Sequence, residues 1–320
     1  MPDHLKYKKG FTLLEVVFVI VILGIVSSIG ATILAQLYEN YIMQRAMHRV
    51  SLKTELAINQ IVNRLTYRID SSVIARNPTT NTFLNIQDTL YGTPEKNNII
   101  LEWIGYDNDS FAAQTPPLWS GYCDTNRTRQ AGSTTIFTPG STLTNINTVV
   151  NNLSPTANPQ LALLFSLEGK PFSIVVQEPS PHCYGFDNDG NTTCIHQVNV
   201  LTNTTFNTDN FIAGNQTRVS DHYKLAWSAY AIVPVDRAGK QIPAGDQTTD
   251  FDLALRYGYQ PWAGGDYRNA SSSILIRNVT AFKFSEQGGT IRLKLCATEQ
   301  VGDVNSSVNV SVCKEKVVLR

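Results

Sequence analysis

The sequence predicts an α+β protein, in which a long N-terminal membrane-spanning helix packs on an antiparallel β-sheet domain with large loops. Three observations predict this fold class. Residues 11–35 form a mostly apolar run, residues 36–70 continue it with a helical hydrophobic period, and residues 71–320 alternate short apolar runs with turn residues. With a leader over residues 1–10, these boundaries are the domain organisation that we expect.

The apolar run of residues 11–35 is long enough to cross a bilayer. As a helix it is about 37 Å long at about 1.5 Å per residue, and the hydrocarbon core of a bilayer is about 30 Å thick. Lys6, Lys8 and Lys9 precede the run, which predicts a cytoplasmic N-terminus and a domain on the opposite side of the membrane. We therefore expect a single-pass membrane protein.

The small residue at the start of this run indicates where the chain is cut. An ordinary secretory signal carries its small-residue cleavage site after the apolar core. Here the small residue, Gly10, stands before the core. Cleavage between Gly10 and Phe11 would remove the leader and leave the whole apolar segment on the mature protein.

The helical pattern continues beyond the bilayer-spanning segment. No proline occurs between Pro2 and Pro78, and polar residues separate apolar ones that recur mostly at steps of three and four. These apolar residues are Leu52, Leu56, Ile58, Ile61, Val62, Leu65 and Ile69. One helix from about Phe11 to Tyr67 or Ile69 is predicted, and the apolar stripe of its second half needs a sheet to cover it.

The remaining chain reads as an antiparallel sheet. Candidate strands are residues 99–106, 161–167, 172–177, 196–201, 224–233, 253–259, 273–279, 281–285, 290–297 and 307–319. Gln287-Gly288-Gly289 predicts a hairpin turn between two of them. Residues 107–159 and 202–220 are rich in Asn and Thr, and we read both as long loops or insertions on the sheet. Long loops are where binding functions tend to lie.

Charge and cysteine content restrict the function classes. The chain carries 26 basic and 26 acidic residues, a balance that does not predict a nucleic-acid-binding groove. All five cysteines follow the membrane segment, which predicts disulfides in an oxidising compartment. Proximity in sequence favours Cys183–Cys194 and Cys296–Cys313 and leaves Cys123 over, although other pairings stay open.

The segment between Cys183 and Cys194 carries a candidate metal site. Asp187, Asp189 and Asn191 offer hard oxygen ligands around Gly190, which suits calcium. The alternative is an Asx-rich turn inside a disulfide loop. A zinc site of both cysteines with His182 and His196 is a further alternative, disfavoured by the expected disulfide.

Enzymatic motifs are absent from the sequence. It contains no Gly-x-Ser-x-Gly, His-Glu-x-x-His or phosphate-loop pattern, so we predict no catalytic residues and no required cofactor. Four aromatic residues in loop-like contexts could form a glycan-binding or surface-binding patch, or could serve as ordinary packing. They are Trp119, Tyr122, Trp262 and Tyr267.

The start of the apolar segment resembles a known signal. Residues 8–15 read Lys-Lys-Gly-Phe-Thr-Leu-Leu-Glu, and Glu15 is a carboxylate inside a membrane segment, at a cost of about 2.5–3.5 kcal/mol. This pattern closely resembles the N-terminal signal of type IV pilins and type II secretion pseudopilins. The resemblance implies that prepilin peptidase cuts after Gly10, that Phe11 becomes the methylated first residue, and that Glu15 serves filament assembly.

The C-terminal strand pattern resembles, more weakly, the closing strands of J-type minor pseudopilins. The resemblances together imply a minor pilin or pseudopilin of the bacterial inner membrane, which initiates, caps or decorates a periplasmic or cell-surface filament. Its partners would be other pilins, through the N-terminal helix, and the peptidase. The alternative is an adhesin displayed on the filament, or a minor pilin that binds DNA or surfaces.

Overall fold

The fold is described from a computed structural model. The structure describes residues 10, 12–88, 97–128, 134–165, 181–208, 219–245, 250–302 and 308–319. It confirms the α+β fold class, since a long apolar helix precedes a large antiparallel sheet with loops.

A single helix, α1 (Leu13–Thr66), forms the N-terminal part of the chain. It contains no proline, and its end lies close to the predicted one. The C-terminal half carries the expected stripe, because Thr54, Ile58, Ile61 and Leu65 recur at steps of three and four and are buried. The helix stops where Arg68 forms an isolated β-bridge with Gly105.

The other described helices are short. They are α2 (Asn108–Ala112), α3 (Thr125–Thr128) and α4 (Ile146–Leu153). Single turns of 3₁₀-helix lie at Asp70–Ser72, Ile86–Asp88, Leu143–Asn145, Pro181–Cys183, Pro261–Ala263 and Tyr267–Asn269.

Twelve strands are described. They are β1 (Ile74–Arg76), β2 (Phe83–Asn85), β3 (Ile100–Tyr106), β4 (Thr135–Phe137), β5 (Leu161–Phe165), β6 (His196–Thr202), β7 (Thr205–Thr208), β8 (Tyr223–Val235), β9 (Phe251–Tyr259), β10 (Ser271–Gln287), β11 (Thr290–Val301) and β12 (Val308–Val318). The predicted strand at residues 172–177 lies outside the described residues.

These strands form one sheet in the order β12-β11-β10-β9-β8-β5-β6-β7-β4. The long strand β8 is the branch point, because β3 pairs with it at Leu101↔Ile232 and β5 pairs with it at Ala162↔Ala226. Strand β1 extends this branch by pairing with both β2 and β3. Every pair whose register is described is antiparallel, as the alternating pattern predicted.

The β10–β11 hairpin confirms the predicted turn. Gly288 and Gly289 connect the strands, and both have positive φ angles, 61° and 77°, as a two-residue type I′ turn requires. The separate strands predicted at 273–279 and 281–285 are instead one strand, β10. Its register shifts between Val279 and Ala281, so an irregularity, not a break, explains the interrupted alternation.

Two buried clusters hold the sheet domain together. In the first, Ile58, Ile61 and Leu65 of α1 lie in the same cluster as Leu293 and Leu295 of β11. This covering of the helix stripe by the sheet is the packing that the sequence predicted.

The second cluster shows which of the two readings, long loops or insertions on the sheet, holds for residues 107–159: they form an insertion with its own short elements, and residues 202–220 likewise contain β7. The segment 107–159 contains α2, α3, β4 and α4. Widely spaced residues such as Trp119, Ile136 and Ile146 are buried there with Phe206 of β7. Elements of three to eight residues are too short to show a periodic pattern, and that is why the sequence did not reveal them.

Contacts divide the chain into two compact units. One holds the helix as far as Val50 together with Glu299–Ser311, and the other holds Ser51–Thr298 together with Val312–Arg320. In the first unit, Arg49 Nη1 lies 2.6 Å from Glu299 Oε1. In the second, Lys316 Nζ lies 2.7 Å from Glu55 Oε1.

Candidate functional site

The predicted processing site lies at an open position before the helix. Gly10 is exposed, and no atom of the residues that the structure describes, its chain neighbours aside, comes within 4 Å of where its Cβ would stand. Phe11 lies outside the described residues. The Thr12 carbonyl accepts hydrogen bonds from the Glu15 N–H at 3.0 Å and the Val16 N–H at 3.3 Å, which starts the helix.

Glu15 occupies the third position of α1, and Thr12 immediately precedes the helix. A Thr followed three residues later by Glu is the capping-box spacing, in which the carboxylate reaches back to the backbone N–H of the capping residue. A carboxylate in the first turn also interacts favourably with the helix dipole. The local sequence therefore places Glu15 where its carboxylate can cap its own helix.

The first half of α1 exposes apolar side chains. Leu13 is 83% exposed and Phe18 is 66% exposed, and none of the most apolar stretch of the helix is buried. Between Lys9 and Glu39, Glu15 is the single charged residue. By length and composition this segment can cross a membrane, where its apolar side chains would meet lipid or other helices.

Two disulfides lie in the sheet domain. Cys183 pairs with Cys194, and Cys296 pairs with Cys313, as proximity in sequence favoured. The first closes a loop between β5 and β6, and the second ties β11 to β12. Cys123 is in neither disulfide and is buried in the second cluster. The disulfide uses both sulfurs that the zinc alternative required.

The Asp187–Asn191 region forms an Asx-rich turn. Asp189 Oδ1 accepts the Asn191 N–H at 2.8 Å, and Asp187 Oδ2 lies 2.8 Å from His182 Nδ1. Among the residues that the structure describes, no three or more His, Cys, Asp or Glu side chains are grouped to hold a metal ion. Calcium binding through Asp187, Asp189 and Asn191 stays a prediction, in a turn whose oxygens already accept protein hydrogen bonds.

A buried ion pair, which the sequence analysis missed, anchors this disulfide loop. Arg76 Nε donates to Glu102 Oε2 at 2.6 Å, and both side chains are at most 3% exposed. Tyr259 donates its hydroxyl to the other Glu102 oxygen at 2.8 Å. Arg76 Nη2 donates to the Phe186 carbonyl at 3.2 Å, which fixes the disulfide loop to the sheet.

Burial and the opposite charge act against each other on the pKa of both members of this pair. Burial raises the pKa of Glu102, although Arg76 and Tyr259 oppose the shift by stabilising the carboxylate. Burial lowers the pKa of Arg76, but the charge and the hydrogen bond of Glu102, together with Tyr259 and Tyr267, outweigh burial and raise the pKa overall. In the sequence, Arg76 and Glu102 each stand in an otherwise apolar strand. Only the β1–β3 register shows that these two charged residues lie next to each other.

The loop aromatics are mainly packing residues. Trp119, Trp262 and Tyr267 are buried, and Tyr122 alone among the four predicted positions is exposed. Trp119 Nε1 donates to the Asp107 carbonyl at 2.9 Å, and Trp262 Nε1 donates to the Gln160 carbonyl at 3.1 Å. The four residues therefore do not present a shared binding patch.

Comparison with known proteins identifies the N-terminal segment. The prokaryotic N-terminal methylation motif matches residues 5–31. Together with the long apolar helix, this match fits the processing signal of type IV pilins and pseudopilins. Neither a curated protein nor a solved structure matches the chain.

Proposed function

We propose that the chain is a minor subunit of a type IV pilus or a type II secretion pseudopilus, with a structural and not an enzymatic role. One observation carries the proposal: the methylation motif of residues 5–31 leads into a helix whose apolar half is exposed and holds a single carboxylate, Glu15. A helix of this composition suits lipid first and the packed core of a filament afterwards.

Processing creates the charge that Glu15 requires. Cleavage between Gly10 and Phe11 releases a new α-amine, which is largely a cation at neutral pH. Methylation of this amine keeps its charge. The exposed, uncrowded surroundings of Gly10 suit access by prepilin peptidase.

In the filament, Glu15 of one subunit would meet the Phe11 amine of a neighbour. Removing one partner of a buried ion pair costs about 3–5 kcal/mol, because the other charge remains uncompensated. A subunit in the wrong register would leave both charges buried and without a partner. The pair therefore specifies register, and its partners are other pilins or pseudopilins.

Orientation follows from the flanking charges. Lys6, Lys8 and Lys9 keep the leader cytoplasmic, so the sheet domain lies in the periplasm before assembly. The Cys183–Cys194 and Cys296–Cys313 disulfides support this location, because disulfides persist in oxidising compartments. The domain would then be carried into a periplasmic or cell-surface filament.

The size of the sheet domain supports a minor role. Its 12-stranded sheet and two buried clusters make a bulky unit to repeat along a tightly packed filament. Such a subunit suits initiation, capping or decoration. The adhesin alternative rested on long loops and on loop aromatics, and burial of Trp119, Trp262 and Tyr267 removes the support from the aromatics.

Deletion of the gene tests the role. We expect few or no filaments, or loss of secretion, with recovery when the wild-type chain is restored. Normal filament numbers and normal secretion, combined with lost surface binding, would support the adhesin alternative and contradict a role in filament initiation.

A further inference from the structure

The exposed turn of the Cys183–Cys194 loop carries an acceptor sequence for a covalent modification. Asn191-Thr192-Thr193 is an Asn-x-Thr triplet, the pattern that N-linked glycans require in exported proteins. The chain contains other Asn-x-Ser/Thr triplets, so the sequence alone does not distinguish this one. The geometry of the turn does.

The hydroxyl of Thr193, two residues further on, is hydrogen-bonded to the side-chain amide group of Asn191. Thr193 Oγ1 donates to Asn191 Oδ1 at 2.9 Å, and the Thr193 N–H lies 3.4 Å from the same oxygen. Asp189 Oδ1 accepts the Asn191 N–H at 2.8 Å and fixes the backbone on the other side. Among the described residues, Asn191 Nδ2 has no hydrogen-bond acceptor, so this nitrogen remains available for reaction.

None of the other described Asn-x-Ser/Thr triplets shows this arrangement. They begin at Asn108, Asn126, Asn152, Asn203, Asn269, Asn278 and Asn309. At Asn278 the i+2 hydroxyl of Thr280 donates instead to the Cys296 carbonyl at 3.4 Å. At Asn126 the i+2 residue Thr128 is buried, and its hydroxyl accepts the Phe137 N–H at 3.1 Å. At Asn203 the amide oxygen accepts the Thr144 hydroxyl at 2.7 Å, so it faces a different residue. Asn191 is the described position at which the i+2 hydroxyl donates to the asparagine itself.

The surroundings of Asn191 are accessible and firmly supported. Asp189, Gly190 and Thr193 are exposed, and Asn191 and Thr192 are half-buried. The base of the loop is fixed by the disulfide and by the Arg76 contact to the Phe186 carbonyl. A cleft of about 250 Å³ adjoins the turn, and Gly190, Thr192, Gln197 and Trp262 contribute to its lining.

We propose that Asn191 is an N-glycosylation site. Asn191 Nδ2 would form a bond to the anomeric carbon of a glycan carried on a lipid pyrophosphate. The bond between that carbon and the phosphate oxygen breaks, the lipid pyrophosphate leaves with the electron pair, and Nδ2 gives one proton to a base of the transferase. The proposal rests on the proposed function only in requiring that the domain is exported.

Mass spectrometry of the full-length protein, purified from the cells that make it, tests this assignment. Peptides that span Cys183–Cys194 should be heavier than their sequence by one or more sugar residues. The Asn191→Gln and Thr193→Ala variants should lose this mass, whereas Thr193→Ser should keep it because it retains a hydroxyl. The matched control Asn203→Gln should leave it unchanged.

Two results would overturn the proposal. One is a peptide of unmodified mass, and the other is an added mass that survives in Asn191→Gln, which would mean an O-linked sugar on Thr192 or Thr193. The disulfide state of the same peptides shows whether glycosylation alone is refuted or whether the export required by the proposed function is refuted as well. A disulfide-linked but unmodified loop would reject glycosylation while export stands, and reduced cysteines with an uncut N-terminus would reject export as well.

Discussion

Arg76 and Glu102 form an ion pair inside the sheet domain, with 2.6 Å between Nε and Oε2 and with both side chains nearly inaccessible to water. In the antiparallel β1–β3 pair, Glu102 lies opposite Ile74, which places it diagonally across from Arg76. The rings of Phe83 and Tyr267 lie within 5.5 Å of the guanidinium carbon. The pair thus joins the sheet to the loops that carry the disulfide turn.

Removing one charge of this pair should strongly destabilise the domain. We expect Arg76→Met to lower the free energy of unfolding by about 3–5 kcal/mol, because Glu102 would remain buried without its partner. Chemical denaturation of the purified protein in detergent measures the change. The double variant Arg76→Met/Glu102→Leu should recover a large part of the loss. A double variant as unstable as Arg76→Met would show that packing, and not the uncompensated charge, dominates.

Each disulfide should contribute to stability through loop closure. The Cys183–Cys194 loop has a sequence separation of 11 and the Cys296–Cys313 loop one of 17. Constraint of the unfolded chain over such loops is worth about 3 kcal/mol each. Paired Cys→Ser variants at either bridge should therefore lower the unfolding midpoint, and a reducing agent should lower that of the wild type. An unchanged midpoint in all three cases would argue against both bridges.

His196 should make the domain sensitive to mild acid. Burial lowers its pKa to about 4 from an ordinary value of 6.5, so the unfolded chain binds one more proton between these pH values. Stability is then fully present above about pH 6.5 and is lost as the pH falls toward 4. The loss amounts to about 3 kcal/mol at about 1.4 kcal/mol per pH unit.

The His196→Leu variant isolates this effect, because leucine cannot bind the proton. We expect the difference in unfolding free energy between wild type and variant to change by about 3 kcal/mol from pH 7.5 to pH 4. Taking the difference between the two proteins cancels the contributions of the other titratable groups. A difference that stays constant with pH would show that His196 keeps its ordinary pKa in the folded protein.

The helix, most of the long strands and the Gly288–Gly289 turn were predictable, because each has a local signal. The apolar period of α1 runs over many turns, and two glycines between alternating strands indicate a hairpin. The second buried cluster and the Arg76–Glu102 pair were not predictable in this way. Both depend on contacts between residues far apart in sequence, and the register that brings Arg76 beside Glu102 is a property of the whole sheet.

The candidate site residues also differ in whether a local signal identifies them. Gly10, Phe11 and Glu15 stand in a contiguous motif, so the sequence alone singles them out. The suitability of Asn191 depends instead on which hydroxyl and which backbone N–H its turn brings together. The Asn-x-Thr pattern recurs in this chain, and only the three-dimensional arrangement separates its copies.

The two roles open to Glu15 can be separated by substitution. Glutamine fills the capping-box position as glutamate does but carries no charge. If Glu15 pairs with the Phe11 amine of a neighbour, Glu15→Gln and Glu15→Ala should both be cleaved and inserted normally but poorly recruited into filaments. Counting this subunit in purified filaments by quantitative immunoblot measures recruitment. Normal recruitment of Glu15→Gln, with failure of Glu15→Ala alone, would assign Glu15 to capping its own helix.

Mass spectrometry of the mature N-terminus is the most direct test of the central claim that this chain is a processed pilin-like subunit. The account predicts a protein that begins at Phe11, with a methyl group on its α-amine and the apolar segment of residues 11–35 intact. A Gly10→Ala or bulkier variant, analysed in parallel, reports how far cleavage depends on that residue. An N-terminus at Met1, or a cut after the apolar segment, would contradict the account.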